Sequence, residues 1–208
     1  MSSAPLPLHP APIRFGTDGW RGVLGVDITV ERLLRVAAAA AQELAHRAPD
    51  DLDSRTVVIG YDRRFLAPEL AEAITAAVRG SELEPLLTET PVPTPACSWA
   101  VVERRALGAL VITASHNPSE WLGLKIKGPF GGSVEGDFTA AVERRLAAAG
   151  ITPPIQGTIN RFDGRQDHLE GLRQKLDLTA LADGLRSMNL KAVSYSQLRA
   201  HETGYTRV

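Results

Sequence analysis

Between Thr29 and Thr113 the hydrophobic period of the chain switches repeatedly between helix and strand, and residues that start or stop an element mark each switch. Val30, Leu33, Leu34, Ala37, Ala40, Ala41 and Leu44 recur at helical spacing, with Thr29 placed as an N-cap and Pro49 beyond the end. Residues 56–61 form a β-branched run that reads as a buried strand. Pro68 then opens a second helix carrying Leu70, Ile74, Ala77 and Val78 on one face, and Gly80 ends it. Residues 85–88 make a weaker third strand, Pro91-Val92-Pro93-Thr94-Pro95 a rigid loop, and residues 96–104 a further helix. The apolar run 107–113 is the next buried strand. Such alternation demands right-handed crossovers between parallel strands. The expected fold class is therefore α/β, a three-layer α/β/α domain with a mixed, mostly parallel sheet.

In such sheets ligands sit where strands end. The run 107–113 stops abruptly in Thr113-Ala114-Ser115-His116-Asn117-Pro118, which places a serine hydroxyl at the sheet rim. Read alone, the loop could equally be an ordinary turn broken by Asn-Pro. Asp62-Arg63-Arg64 also follows a strand, so topology lets it converge on Ser115, although both arginines read as surface charges. Residues 121–127 alternate, putting Leu124 and Ile126 on one face and Lys125 and Lys127 on the other, with Lys127 expected in solvent. Upstream, Phe15-Gly16-Thr17-Asp18-Gly19-Trp20-Arg21-Gly22 has three glycines in seven residues, 16 to 22. That suits a backbone approaching a ligand closely, although taken alone the stretch reads first as a plain β-turn with Arg21 solvated.

Adjacent Ser115 and His116 suggest a hydrolase dyad, but neighbours on a turning backbone rarely aim at each other, and no Gly-x-Ser-x-Gly elbow surrounds them. Phosphoryl transfer fits better, because it needs positive charge around the transferring group more than covalent help. Ser115 as carrier, with Arg21, His116 and Lys125 around the phosphate, meets that need. No run of Asp or Glu at metal-ligand spacing follows the loop.

Charge narrows the partners. A net charge of -1 leaves no general footprint for nucleic acid or an anionic membrane, so any phosphate site must be local. The 208 residues, 44% of them hydrophobic, can bury a full domain plus part of another. Cys97, the single cysteine, fits a reducing compartment and reads as core-facing. The proline-rich residues 1–12 read as a disordered arm, not a signal peptide, and no window is apolar enough for a membrane span. A soluble cytoplasmic protein is expected.

Residues 134–149 predict another helix, and Pro153-Pro154 a boundary. Beyond it, Asp167 with Glu170 resembles a capping box opening a helix with Leu169, Leu172 and Leu176, and a short helix follows from about Thr179. Residues 190–193 look like the opening of a strand, whereas 194–208 show no periodicity of either kind. Residues 156–208 read as the truncated start of a second α/β domain, or alternatively as a complete helical extension. Truncation would leave faces such as Leu172 and Leu176 uncovered and favour association or poor solubility.

The glycine motif at 15–22, Gly60-Tyr61-Asp62-Arg63-Arg64-Phe65, Pro93-Thr94-Pro95-Ala96, the serine loop and Gly123-Leu124-Lys125 occur here in the order and approximate spacing of the α-D-phosphohexomutases. The chain resembles the phosphoglucomutase and phosphomannomutase group over about residues 13–193, with 13–155 corresponding to its first domain. The resemblance implies an enzyme that interconverts hexose 1-phosphate and hexose 6-phosphate through a phosphoserine and a hexose 1,6-bisphosphate intermediate. It makes Ser115 the phosphoryl carrier, with its phosphate a ligand of Mg²⁺, and Arg21, His116 and Lys125 catalytic groups. Arg21, Asn117 and Lys125 would bind substrate, Asn117 also shaping the loop. The family's Asp-rich metal loop, sugar-selecting loop and distal phosphate loop have no counterpart in these residues. Little activity is therefore expected of the chain alone, and the competing reading is a non-catalytic remnant that binds sugar phosphate or protein. A stand-alone phosphatase using Ser115 is a third. Oligomeric state is open at this level.

Overall fold

A computed structural model of the chain describes residues 9–16, 19–148, 153–190, 194–197 and 203–206. These fall into two compact units, 1–169 and 170–208. In the first, strands β1 (Trp20–Val23), β2 (Thr56–Tyr61), β3 (Glu84–Thr88), β4 (Gly108–Ile112), β5 (Trp121–Lys127) and β6 (Asn160–Phe162) form one sheet in the order β1-β5-β4-β2-β3-β6. The pairs β4–β2, β2–β3 and β3–β6 are parallel, while β5 runs antiparallel to both β4 and β1. The mixed, mostly parallel α/β sheet is thus as the alternating periods require. The antiparallel pair arises where the link is too short for a crossover helix: only residues 113–120 join β4 to β5.

Alternation along each strand divides the core. Val57, Ile59, Leu110, Ile112, Leu122, Leu124 and Trp20 pack on α1 (Val30–His46), α2 (Ala67–Gly80) and α4 (Gly136–Ala147). Val58, Ala109 and Val111 face the other way, onto Ala96, Cys97, Ala100 and Val101 of α3 (Thr94–Glu103). Thr29 caps α1 by accepting from the Arg32 N–H, 3.3 Å away. Cys97 is fully buried in the α3 layer, as its reading as core-facing requires.

Several expectations change. Residues 20–23 are an edge strand, not a plain turn, because the backbone of β5 is available to pair with them. β6, beyond Pro153-Pro154, had no sequence signal and is held by pairing with β3. α4 starts at Gly136, not at 134, and stops at Ala147. The helix α5 (Gly164–Lys175) starts before Asp167; its cap is Asp163, whose Oδ1 accepts from the N–H groups of Arg165 (3.1 Å) and Gln166 (2.9 Å), and Asp167 instead pairs with Arg104. Lys127 is 8% exposed, not solvated, and its Nζ donates to Ser133 Oγ at 2.8 Å.

Residues 1–8 of the amino-terminal arm lie outside the described residues. Ala11 is fastened: its N–H donates to Asp27 Oδ1 (2.8 Å) and its carbonyl accepts from Arg32.

In the second unit, α6 (Leu178–Ser187) follows the end of α5, with Asp177 Oδ1 accepting from the Ala180 N–H at 2.9 Å as its cap. Leu172, Leu176, Leu178, Leu181 and Leu185 are all exposed, and α6 buries no residue. The expected strand opening at 190–193 falls largely on residues 191–193, outside those described. Residues 194–208 nevertheless contain an antiparallel pair, β7 (Ser194–Gln197) with β8 (Thr203–Thr206), in which Tyr195 is registered with Tyr205. Tyrosine and threonine are good strand formers, but four-residue strands are too short to show a period.

Candidate functional site

The site is built where β2 and β4 part. The Asp62 N–H still donates to the Ile112 carbonyl (3.1 Å), and the Thr113 N–H to the Gly123 carbonyl on β5 (3.0 Å). Past these bonds the backbones diverge, and side chains replace the ladder. Thr113 Oγ1 donates to Asp62 Oδ2 (2.6 Å) and accepts from the Ser115 N–H (2.9 Å). With Ala114 fully buried, the chain turns through Ser115 at φ 56°, a left-handed conformation that serine adopts rarely, and the Asn117 N–H returns to the Ala114 carbonyl (3.1 Å). Ser115 and His116 are left exposed at the carboxyl end of β4.

Contrary to the expectation for sequence neighbours, these two side chains do approach: Ser115 Oγ lies 3.4 Å from His116 Nδ1, at the long limit of a hydrogen bond. The left-handed serine folds the backbone back enough to bring them together.

Arg21 arrives from the sheet edge. It is registered with Gly123, and its Nη1 donates to Asn117 Oδ1 at 2.9 Å. A Cβ at position 123 would lie 2.2 Å from the Trp20 carbonyl oxygen and 3.0 Å from Arg21 Cγ, so only glycine leaves room for that side chain. Gly19, at φ 118°, solves the neighbouring problem, since a Cβ there would sit 2.5 Å from the Leu124 carbonyl oxygen. Lys125 stands two residues beyond Gly123, opposite Val111, and is 8% exposed. By alternation it shares a sheet face with Arg21 and Thr113. The expected residues therefore form two contacting pairs, Ser115 with His116 and Arg21 with Asn117, and Lys125 lies on the strand between them.

One participant was misread from sequence. Arg64 is not a surface charge: its side chain is 15% exposed, and its guanidinium donates to four carbonyls of the serine loop. Nη2 reaches those of Ser115 (2.9 Å) and Asn117 (2.6 Å), and Nη1 those of Pro118 (2.7 Å) and Trp121 (3.0 Å). Asp62 holds it from behind, its Oδ2 3.5 Å from Arg64 Nε and its Oδ1 accepting from the Arg64 N–H. The available sequence signal was topological, a charged turn after a neighbouring strand. Arg63 is exposed, as expected. A cleft of about 250 Å³ bordered by Leu44, Arg47, Phe130 and Phe138 holds none of these residues.

Comparison with known proteins agrees with this architecture. Residues 12–150 match the model of the phosphoglucomutase/phosphomannomutase alpha/beta/alpha domain I. The chain belongs to that family. It is 37% identical over 180 residues to a phosphoglucosamine mutase of Cereibacter sphaeroides, covering 86% of this chain and 39% of that protein. A phosphoglucosamine mutase of Parafrankia sp. is 31% identical over 225 residues, with coverages of 91% and 48%. Among solved structures, a protein described as a phosphomannomutase from Thermus thermophilus superposes with a TM-score of 0.73 at 38% identity, over 83% of this chain and 38% of that one. The chain thus spans about two fifths of the length of the relatives matched first.

The family resemblance implies Mg²⁺, and the described residues do not make a site for it. Among the described residues no three His, Cys, Asp or Glu side chains cluster as metal ligands, and both oxygens of Asp62, the carboxylate beside the loop, are committed to Thr113 and Arg64. No described helix is long and apolar enough to cross a membrane.

Proposed function

We propose that Ser115 is the phosphoryl carrier of a phosphohexomutase, and that residues 13–155 form the body of the domain presenting it, with β6 adding an edge strand to its sheet beyond Pro153-Pro154 before a second domain begins. The observation that carries this reading is the exposed Ser115 hydroxyl on a left-handed turn at a strand end, flanked by His116 and by the Arg21–Asn117 pair. In the forward step a sugar hydroxyl oxygen attacks the phosphorus. A new sugar O–P bond forms as the Ser115 Oγ–P bond breaks; in this reading His116 takes the proton of the sugar hydroxyl and a proton is returned to the departing Ser115 oxygen, which leaves as the free hydroxyl. The resulting hexose 1,6-bisphosphate reorients and returns its other phosphate to Ser115. Arg21 and Lys125 offset the charge that builds on the phosphoryl oxygens, and the Asn117 amide fixes the angle of the Arg21 guanidinium.

The names of the matched relatives favour an amino-sugar phosphate as substrate. The chain spans about two fifths of its relatives' length, and on this reading isomerisation also uses parts that it does not cover, so little turnover is expected of these residues alone. Phosphoryl acceptance is the part assigned to them. Incubation with hexose 1,6-bisphosphates of glucose and of glucosamine, read by intact mass, tests it. The wild type should gain one phosphoryl group and Ser115→Ala none; equal gain by both, or none by the wild type, overturns the reading.

A further inference from the structure

We infer that Arg64 is a positioning residue for Ser115: it fixes the loop in the left-handed turn that presents the hydroxyl, and does not itself hold phosphate. The inference rests on the carrier role of Ser115 and adds a division of labour between the arginines of the site.

The donor arithmetic decides it. A guanidinium has five N–H groups. In Arg64 the four on Nη1 and Nη2 are matched by four loop carbonyls at 2.6–3.0 Å, and Nε faces Asp62 Oδ2 at 3.5 Å. No donor is left to turn toward an anion on Ser115 Oγ without giving up a carbonyl. Arg21 differs, since among the described residues its side chain makes one hydrogen bond, to Asn117, and its remaining donors can serve an anion.

The four carbonyls belong to residues 115, 117, 118 and 121, so a single planar group spans the loop from its serine to the start of β5. It approaches from below, with Asp62 binding both Arg64 and Thr113, and Thr113 binding the Ser115 N–H. The serine is thereby gripped at both ends of its residue: the N–H by Thr113 and the carbonyl by Arg64. Two dihedral angles between these grips set where Oγ points, and a left-handed conformation in a non-glycine residue persists only when its surroundings over-determine it. Lysine keeps the charge but is a point donor with no fork, and cannot reach four acceptors.

The test uses the full chain with Arg64→Lys and Arg64→Met, measuring hydrogen exchange of residues 114–121, the uptake of phosphate from glucose 1,6-bisphosphate by Ser115, and cooperative melting. In both variants loop exchange should rise about tenfold for the loss of a net hydrogen bond or two. The saturating uptake rate should fall about a hundredfold, as expected for a misplaced reacting atom, with the half-saturating bisphosphate concentration little changed. Wild-type exchange and uptake in Arg64→Lys would overturn the inference. So would a loss confined to half-saturation with exchange unchanged, which would make Arg64 an anion ligand. If the lysine variant does not melt cooperatively, Thr113→Val, which cuts the other grip, is read by the same two criteria. A wild type that takes no phosphate defeats the carrier role of Ser115 instead, while the exchange comparison still judges the grip of Arg64 on the loop.

Discussion

The carboxylate of Glu43, 3% exposed beneath the carboxyl end of α1, receives Arg47 Nε on one oxygen and Arg145 Nε on the other, each at 2.6 Å. This clamp joins α1 to α4 on the face away from α3. Burial pushes the Glu43 carboxyl up, but the hydrogen bonds from Arg145 and Arg47 outweigh it and hold it below the ordinary value of 4.5. A carboxyl lowered by folding stabilises the protein above its unfolded value, and that contribution disappears as pH falls through the folded one. Glu43→Gln should cost about 1.5–3 kcal/mol near neutrality by denaturant unfolding, the range for hydrogen bonds to charged groups. The difference from wild type should shrink as pH drops below 4.5. A constant difference down to the acid transition would show that the charge of Glu43 contributes nothing.

Gly123 and Arg21 set up a steric prediction. Gly123→Ala places a methyl 2.2 Å from the Trp20 carbonyl oxygen and 3.0 Å from Arg21 Cγ, so β1 must shift and withdraw Arg21 from Asn117. Overpacking of this kind costs about 1–3 kcal/mol. Thermal melting should show that loss, and phosphoryl uptake should fall further than Arg21→Lys alone makes it fall.

Ser115 trades stability for presentation. Glycine accepts φ 56° without the steric penalty that an L side chain meets, and that penalty is about 1–2 kcal/mol. Ser115→Gly should therefore unfold at higher denaturant than Ser115→Ala, although glycine gains more chain freedom on unfolding. The reverse order would mean that the turn is not strained in solution.

Cys97 offers a probe of opening. Burial pushes its thiol up to about 12, despite nearby Lys127, and the residue is fully covered by the α3 layer. Alkylation at pH ~8 should proceed only through unfolding, with its rate rising in step with denaturant. Rapid labelling of the native protein would place an open channel beside α3.

α6 buries nothing while exposing Leu178, Leu181 and Leu185, so it should exchange backbone hydrogens quickly and be cleaved early in limited proteolysis, leaving the unit of residues up to 169 resistant. Replacing Leu181 and Leu185 by Lys should reduce self-association in light scattering. Equal protease resistance of both units would refute the first expectation.

What could be read in advance follows physical range. α1 and β2 carry their own period, cap and burial, so local chemistry was enough to find them. β1 and β6 carry little: Trp-Arg-Gly-Val and Asn-Arg-Phe become strands because β5 and β3 offer free edges, a fact recorded elsewhere in the chain. Lys127 was assigned to the correct face of β5, but whether that face meets water depends on packing from other segments. Arg64 is the clearest case. Its four acceptors lie 51 to 57 residues downstream and are main-chain oxygens, which every residue possesses, so nothing in the letters distinguishes them.

The register of β1 beside β5 also has a consequence in time. Arg21 meets Asn117 across a sequence separation of 96, and pairings of such long range form late because loop closure must precede them. On a growing polypeptide the cation is made early and its destination only much later. The nascent chain therefore leaves the ribosome with α1, β2, α2, β3 and α3 already able to associate, while the end of the sheet that carries Arg21 and Asn117 stays unassembled until β5 has emerged.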